Sequence, residues 1–585
     1  MNVYLFFITT YASRKWGFLI SKFYKPFSWN YNYKHYSTIQ IYFSWFELMQ
    51  QKKFYVTTPI YYANWLPHIW HANSSFIADL YARWYRLMWY EVKFSTWVDE
   101  NGQKMVDKAA SEWKDVKTFL DEIAAWSVEI WKELQISYTD FIRTTSEDHA
   151  QFVQKMLDKV HNQSENESDE SKKDIYVWSY EWLYCTWCEA FKNERDLNAD
   201  WLCPDHLTKP QKVSETNLFF NLKKYSDLFE KLWVENPTFV EPESRFNEVK
   251  SFVKSWLENF SISRENKHTW IWIPLPWDPE QVTYVWFDAL FNYITVCYRN
   301  WENGKFWDDD TYILHILWKD IVKFHATYWP AMLEATDNRL PNQEFVTWYL
   351  TVDGQKMSKS LWNVVDPIQV SRDYDRDALV FYLLNDVPLG SDGDFSWERF
   401  NWTWEKMLIW WWWNLVNRVS NLWKKYWITE WIYDKERWNS FKEWLSDFPL
   451  LSIIEGEWDN EVIEKEYLRN ANTKAFVEDR YRLVQAANEF ISKAEPWKKY
   501  KEESTQQEAL DDLSFLLWVI KQLWLVSAPL LIDGFAHLQN ILWNEEIKSI
   551  DTSKNWESNF KKIFDAKTYP VQLEPEIMYQ RKEQA

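Results

Sequence analysis

Phe54 to Thr58 is a short strand, and Phe76, Leu80, Trp84 and Leu87 then recur at helical spacing to about Met88. Tyr90 to Phe94 reads as the next strand. A strand, a loop, a helix and a second strand in about forty residues make a βαβ unit, which requires a parallel sheet. The loop and the first turn of the helix carry "LPHIWHANSS", so His68 and His71 lie at the helix N-terminus. Free N–H groups and a positive dipole end suit that place to phosphate. In open α/β sheets ligands sit at the carboxyl ends of strands, where this loop lies. Taken alone, the pair reads more readily as two histidines in a surface turn.

The same alternation continues to about residue 150 and returns from 245 to 395; from about 396 the pattern is helical. Between them, His161 to Lys173 ("HNQSENESDESKK") reads as a polar, acidic loop. Residues 1–48 are aromatic and basic without periodicity, and Met49 just before the first strand suggests the native start. Val3 to Tyr11 is apolar but lacks the flanks of a secretory signal. No apolar run reaches the roughly 18 residues of a membrane span. Four cysteines in 585 residues make no disulfide scaffold, which points to a reducing compartment, the cytoplasm. A net charge of −20 argues against non-specific nucleic-acid binding but leaves room for a local basic face.

Two further groups carry chemistry. "DGQKMSKSLWNVVDP" places Lys356, Met357, Ser358, Lys359 and Ser360 on a loop marked by Asp353-Gly354, 285 residues after His71. Two lysines and two hydroxyls so close suit a mobile clamp on polyphosphate, where charge must be stabilised on a leaving pyrophosphate. Cys185-x2-Cys188 and Cys203-x2-His206, with 14 residues between the pairs, suit a closed tetrahedral zinc site of structural type. Cys297 lies in an apolar helix and reads as a core thiol.

Glycine is the anomaly. The chain has 8 glycines and 45 tryptophans, where about 7% glycine is ordinary. Trp89 falls where a helix should end in a left-handed residue, usually glycine. Trp65, after Asn64, falls in a tight turn where Asn-Gly is favoured. Trp182 and Trp362 also stand in turn-like contexts. Some bacterial lineages read UGA as glycine, and translating such a gene with UGA as tryptophan yields this composition.

The histidine and lysine motifs together resemble class I aminoacyl-tRNA synthetases, and Phe54 to about Trp497 resembles the methionyl-tRNA synthetase family. "FYVTTPIYYANxLPHIxH", "STxVDENGQK", "YVWFDALFNYI", "LHILxKDIVKFHATYWPAML" and "DGQKMSKSLxNVVDP" match that family with glycine at x, where this chain has Trp65, Trp70, Trp97, Trp318 and Trp362. Trp286 and Trp329 are tryptophans in the family too, so the mismatch runs one way.

The resemblance implies a Rossmann-like catalytic domain split into residues 49–165 and 246–395. It also implies a zinc-bearing connective insertion at 166–245 and an all-α anticodon-binding domain at 396–585. By the same resemblance, His68 and His71 contact ATP and stabilise the α-phosphate. Lys359, helped by Lys356, neutralises pyrophosphate, and Mg2+ accompanies ATP. Asp99 holds the methionine ammonium. Ile60, Tyr61, Trp286, Ala289, Tyr293, Ile321 and His325 line a pocket whose aromatic contacts suit a thioether. Cys185, Cys188, Cys203 and His206 form the family's zinc knuckle. Asn414, Arg418 and Trp497 read the CAU anticodon; without the resemblance, Asn414 and Arg418 would be an ordinary solvated helix face. Asn101 stands where many members have histidine, and little effect is expected, since an amide can replace an imidazole in a hydrogen bond. No OB-type module follows the helices, so a monomer is expected. Two other readings are a different class I synthetase and, with literal tryptophans, an inactive tRNA-binding relic.

Overall fold

The computed structural model describes residues 52–536 and 568–570, apart from 64–66, 89, 186–189, 193–196, 199, 205–207, 267–271, 349, 358–362, 388–392, 429, 444, 446–449, 455–471 and 535. All of these lie in the unit Lys52–Ala585. Trp65, Trp89, Cys188, His206, Ser358, Lys359, Ser360, Trp362 and residues 1–48 are outside the described residues.

The centre is a parallel sheet in the order Tyr61–Tyr62, Glu91–Asp99, Lys53–Thr57, Thr311–Trp318, Gln343–Thr347 and Val240–Glu241, with Asp140–Arg143 also paired to Glu91–Asp99. The strand Lys53–Thr57 lies in the middle, with Val56 level with Phe94 on one side and Leu314 on the other. Its burial on both faces explains its continuous Phe54-Tyr55-Val56 run. The helix Ile69–Leu87 crosses from it to Glu91–Asp99, as the spacing predicted.

An antiparallel sheet of Ala190–Lys192, Ile175–Cys185, Gln211–Phe220 and Phe260–Ser261 interrupts the α/β pattern. Two expectations fail here. Trp182 is not in a turn: it stands inside the eleven-residue strand Ile175–Cys185, level with Val213. The polar stretch from His161 is not wholly a loop either, because the helix Glu147–Asn166 runs through its first half. Val153, Met156, Leu157, Val160 and Ser164 form that helix's buried stripe. The Ser164 hydroxyl accepts from the N–H groups of Asp174 and Ile175 at 3.1 Å each, and so fixes where the following strand begins.

From Trp397 onward the described structure is almost entirely helical, with long helices Asn414–Tyr426, Thr473–Ala494 and Gln506–Ser527. These helices pack directly on the sheet's own helices. Trp84 meets Phe476 edge to face with ring centres 4.9 Å apart, and the Thr473 hydroxyl donates to the carbonyl of Leu384 at 3.3 Å. Among the described residues no helix is long and apolar enough to cross a membrane.

Candidate active site

His68 is the N-cap of the helix Ile69–Leu87, with extended backbone, and His71 is its third residue. The two histidines form a reciprocal cap. His68 Nδ1 accepts the Trp70 N–H at 3.4 Å, and His71 Nδ1 accepts the His68 N–H at 3.3 Å. Their rings stand edge to face, 4.2 Å between centres. Burial, and secondarily the charge of His68, holds the His71 pKa well below its usual value. A neutral His71 whose Nδ1 accepts carries its proton on Nε2, so that nitrogen is left as a donor. The site therefore offers imidazole donors and helix N–H groups at the carboxyl edge of a parallel sheet, an arrangement suited to a nucleotide phosphate.

The lysine motif reaches the same edge. Leu350–Val352 and Gln355–Lys356 form a hairpin whose turn, Asp353-Gly354, is left-handed at φ 47° and 74°. Asp394 Oδ1 accepts both the Gly354 N–H and the Thr351 hydroxyl at 2.7 Å, which anchors the hairpin to the strand Gly393–Phe395. The turn is fixed, and Met357 beside Lys356 packs against the core. Near the end of the same stretch, the carbonyl of Val365 accepts the N–H of Ile69 at 3.3 Å, which ties that end of it to the helix N-terminus.

Two indoles crowd this place. Trp70 and Trp318 stack with centres 4.9 Å apart and planes 28° apart, and Trp318 also meets the His71 ring edge to face at 5.2 Å. Trp97 is fully buried against Tyr293 at 5.6 Å.

The candidate methionine residues are all interior. Ile60, Tyr61, Trp286, Ala289, Tyr293, Ile321 and His325 are all buried, and Asp99 is buried at the end of its strand. Trp286 stacks on Phe324, 3.8 Å between centres, a partner the sequence motifs did not single out. His325 lies in a π-helical turn, Phe324–Tyr328, a distortion common at functional sites. Its Nδ1 faces the carbonyl of Ile321 at 3.0 Å and its Nε2 faces the Tyr293 hydroxyl at 2.9 Å. A carbonyl only accepts, so the proton is on Nδ1 and Tyr293 donates to Nε2. Burial lowers the His325 pKa to about 4, so the ring is neutral and fixed as one tautomer. Asn101 donates through its amide to Asp288, which bears on the asparagine that stands here in place of histidine: a donor is present.

The other predicted groups are placed in part. Cys185 ends its strand, Cys203 follows the turn at Trp201, and both are buried. Among the described residues no group of three or more His, Cys, Asp or Glu is placed to hold a metal; two of the four proposed ligands lie outside those residues. Asn414 is exposed on its helix; Arg418 is half-buried, 5.9 Å above the ring of Trp497. Trp497 itself is half-buried rather than exposed, packed against the core. Cys297 is buried in the helix Asn292–Tyr298, and burial pushes its thiol pKa well up, as suits a core thiol.

A parallel sheet with paired histidines at a helix N-terminus on its carboxyl edge is the frame of a nucleotide-binding α/β protein. Residues 54–420 match the family described as "tRNA synthetases class I (M)". A methionine--tRNA ligase of Synechocystis sp. is 38% identical over 477 residues, 80% of this chain and 85% of that protein. One from Thermotoga maritima is 34% identical over 541 residues, 89% of this chain and 82% of the relative. The solved Mycobacterium tuberculosis methionyl-tRNA synthetase in complex with methionyl-adenylate superposes with a TM-score of 0.77 at 28% identity, covering 91% of this chain and 100% of that one. The chain belongs to the methionine--tRNA ligase family.

Proposed function

We propose that this ligase of protein biosynthesis works in two steps at the site around His68 and His71. A methionine carboxylate oxygen attacks the α-phosphorus of ATP; the bond to pyrophosphate breaks and methionyl-adenylate forms. The 2′-OH of the terminal tRNA ribose then attacks the carbonyl carbon, and AMP leaves. The observation that carries the reading is the reciprocal histidine cap at a helix N-terminus on the sheet's carboxyl edge.

His68 and His71 donate to phosphate oxygens as charge gathers at the α-phosphorus. Lys356 and Lys359, with Met357, Ser358 and Ser360 shaping the loop, hold the leaving pyrophosphate. Mg2+, carried in with ATP, would supply further charge neutralisation. Asp99 takes the ammonium, and Ile60, Tyr61, Trp286, Ala289, Tyr293, Ile321 and His325 enclose the thioether. The neutral, tautomerically fixed His325 suits an uncharged side chain.

Cys185, Cys188, Cys203 and His206 would hold zinc as a structural ion closing the insertion. The two buried thiols among them are soft donors suited to that metal. Asn414, Arg418 and Trp497 would take the CAU anticodon, with Trp497 stacking on an unpaired base. The protein would act as a cytoplasmic monomer built from the domains 49–165, 166–245, 246–395 and 396–585. The test is charging: labelled methionine should load a tRNA with anticodon CAU and not one with an altered anticodon. Charging with isoleucine, leucine or valine instead overturns the reading.

Many of the tryptophans are, in this reading, UGA-encoded glycine. Backbone geometry supports it beyond the motifs. Trp113, Trp201 and Trp427 have φ of 56°, 61° and 56°, the left-handed region that favours glycine. Trp113 and Trp427 are almost fully exposed, at 96% and 87%, so burial does little to offset the strain there; Trp201 is 55% exposed. Trp427 caps the helix Asn414–Tyr426, the place where a left-handed glycine commonly ends a helix. The literal reading has its own support: Trp70 and Trp318 stack beside His71, as an inactive relic would allow. Peptide mass spectrometry of the native protein across residues 54–83 decides. Glycine at 70 supports recoding, and a tryptophan mass there refutes it.

A further inference from the structure

Asp288 lies on the short helix Val285–Ala289, between the pocket residues Trp286 and Ala289, and is buried. Its Oδ1 is 2.8 Å from His149 Nε2, and its Oδ2 accepts from the side-chain amide of Asn101. An ionised carboxylate only accepts, so His149 Nε2 and Asn101 Nδ2 are both donors. His149, fully buried on the helix Glu147–Asn166, is held on its far side, where Nδ1 lies 3.0 Å from the Thr295 hydroxyl.

The bonds do not stop at Asn101. Its backbone N–H donates to Asp99 Oδ1 at 3.2 Å, and the Thr144 hydroxyl donates to the same oxygen at 3.4 Å. A buried line therefore runs His149, Asp288, Asn101, Asp99. It joins the strand end that carries Asp99 to the helix that carries Trp286 and Ala289. A buried carboxylate is costly unless donors satisfy it, and removing one member of such a line leaves the others uncompensated. Asn101 Oδ1 is also buried, with no hydrogen-bond partner among the described residues. An ammonium beside Asp99 is a donor that would satisfy it.

We propose that Asp288 is a positioning residue for methionine activation: it clamps Asn101, and through it aims Asp99, against the helix bearing Trp286 and Ala289. This rests on the reading of Asp99 as the partner of the methionine ammonium. The members lie far apart in sequence, so only the fold brings them together.

The test is methionine-dependent exchange of labelled pyrophosphate into ATP, with KM measured separately for methionine and ATP. Asp288→Asn keeps the shape but turns one acceptor into a donor facing a donor. It should raise KM for methionine about tenfold or more while KM for ATP moves about twofold at most. Asn101→Asp, which sets a carboxylate against Asp288, should do the same. Asn101→His, which keeps a donor toward Asp288, should lose far less than Asn101→Asp. Equal rises in both KM values, or a lower melting temperature with both KM values unchanged, overturn the proposal. Asp99→Asn separates the two readings. If it leaves KM for methionine unchanged, the ammonium role fails; if it raises that KM while Asp288→Asn does not, the clamp alone fails.

Discussion

The histidine cap and the Arg418–Trp497 patch are both candidate contacts for a phosphorylated ligand, yet they are built differently. At the cap, the backbone itself fixes the rings: His68 and His71 are tied to each other through main-chain N–H groups, on a helix wedged into a parallel sheet. At the patch, Arg418 reaches the buried Asn488 at 3.5 Å and Ser492 at 3.3 Å, over a half-buried Trp497, through side chains alone. Chemistry needs fixed donors, since a misplacement near 1 Å costs about 100-fold. Recognition of a flexible anticodon tolerates, and benefits from, side chains that adjust.

The largest expected effect is at the cap. His71→Ala should cut methionine-dependent pyrophosphate exchange by about 10²–10³-fold, the usual loss for one preorganised donor. A smaller fall would mean that the helix N–H groups carry the stabilisation without the ring. Next comes pH. Burial lowers the folded His325 pKa to about 4 from 6.5. The unfolded chain then takes the proton first as pH falls, so stability is full above about 6.5 and is lost progressively toward 4. That loss is on the order of 3 kcal/mol for this group. His71 and His315, lowered by burial, act in the same direction. Thermal melts from pH 7.5 to 5 check it, and His325→Gln should flatten part of the slope.

The patch should respond more weakly and in a different assay. Trp497→Ala should cost about 1–3 kcal/mol in tRNA charging through lost base stacking, read as a rise in KM for tRNA. Equal losses in charging and in exchange with free methionine would erase the contrast between the two regions. Arg418→Lys, which keeps the charge but loses the planar group over the Trp497 ring, should cost about 1 kcal/mol or less.

What the sequence discloses follows the same division. The cap was legible because periodicity changes at one place: strand, then His68, then a helical stripe through Leu87. Trp182 was misread because a turn-like neighbourhood of Glu and Tyr gives no hint of its partner strand, thirty-one residues on at Val213. The His161 stretch was misread because polarity outweighed a stripe of Val153, Met156, Leu157 and Val160 that continues into it. The line from His149 to Asp99 was illegible for a further reason. Its members are 139 and 187 residues from Asp288, and no local pattern records such pairing.

The central claim is that the cap around His68 and His71 activates methionine once position 70 is glycine. The direct measurement is methionine-dependent pyrophosphate exchange by two proteins side by side, one with glycine at position 70 and one with tryptophan, both with glycine at the other recoded positions. The account predicts exchange with methionine and no other amino acid in the first, and a loss of at least about 100-fold in the second, whose indole stands at the cap. Equal exchange by both, or exchange by neither, would contradict it.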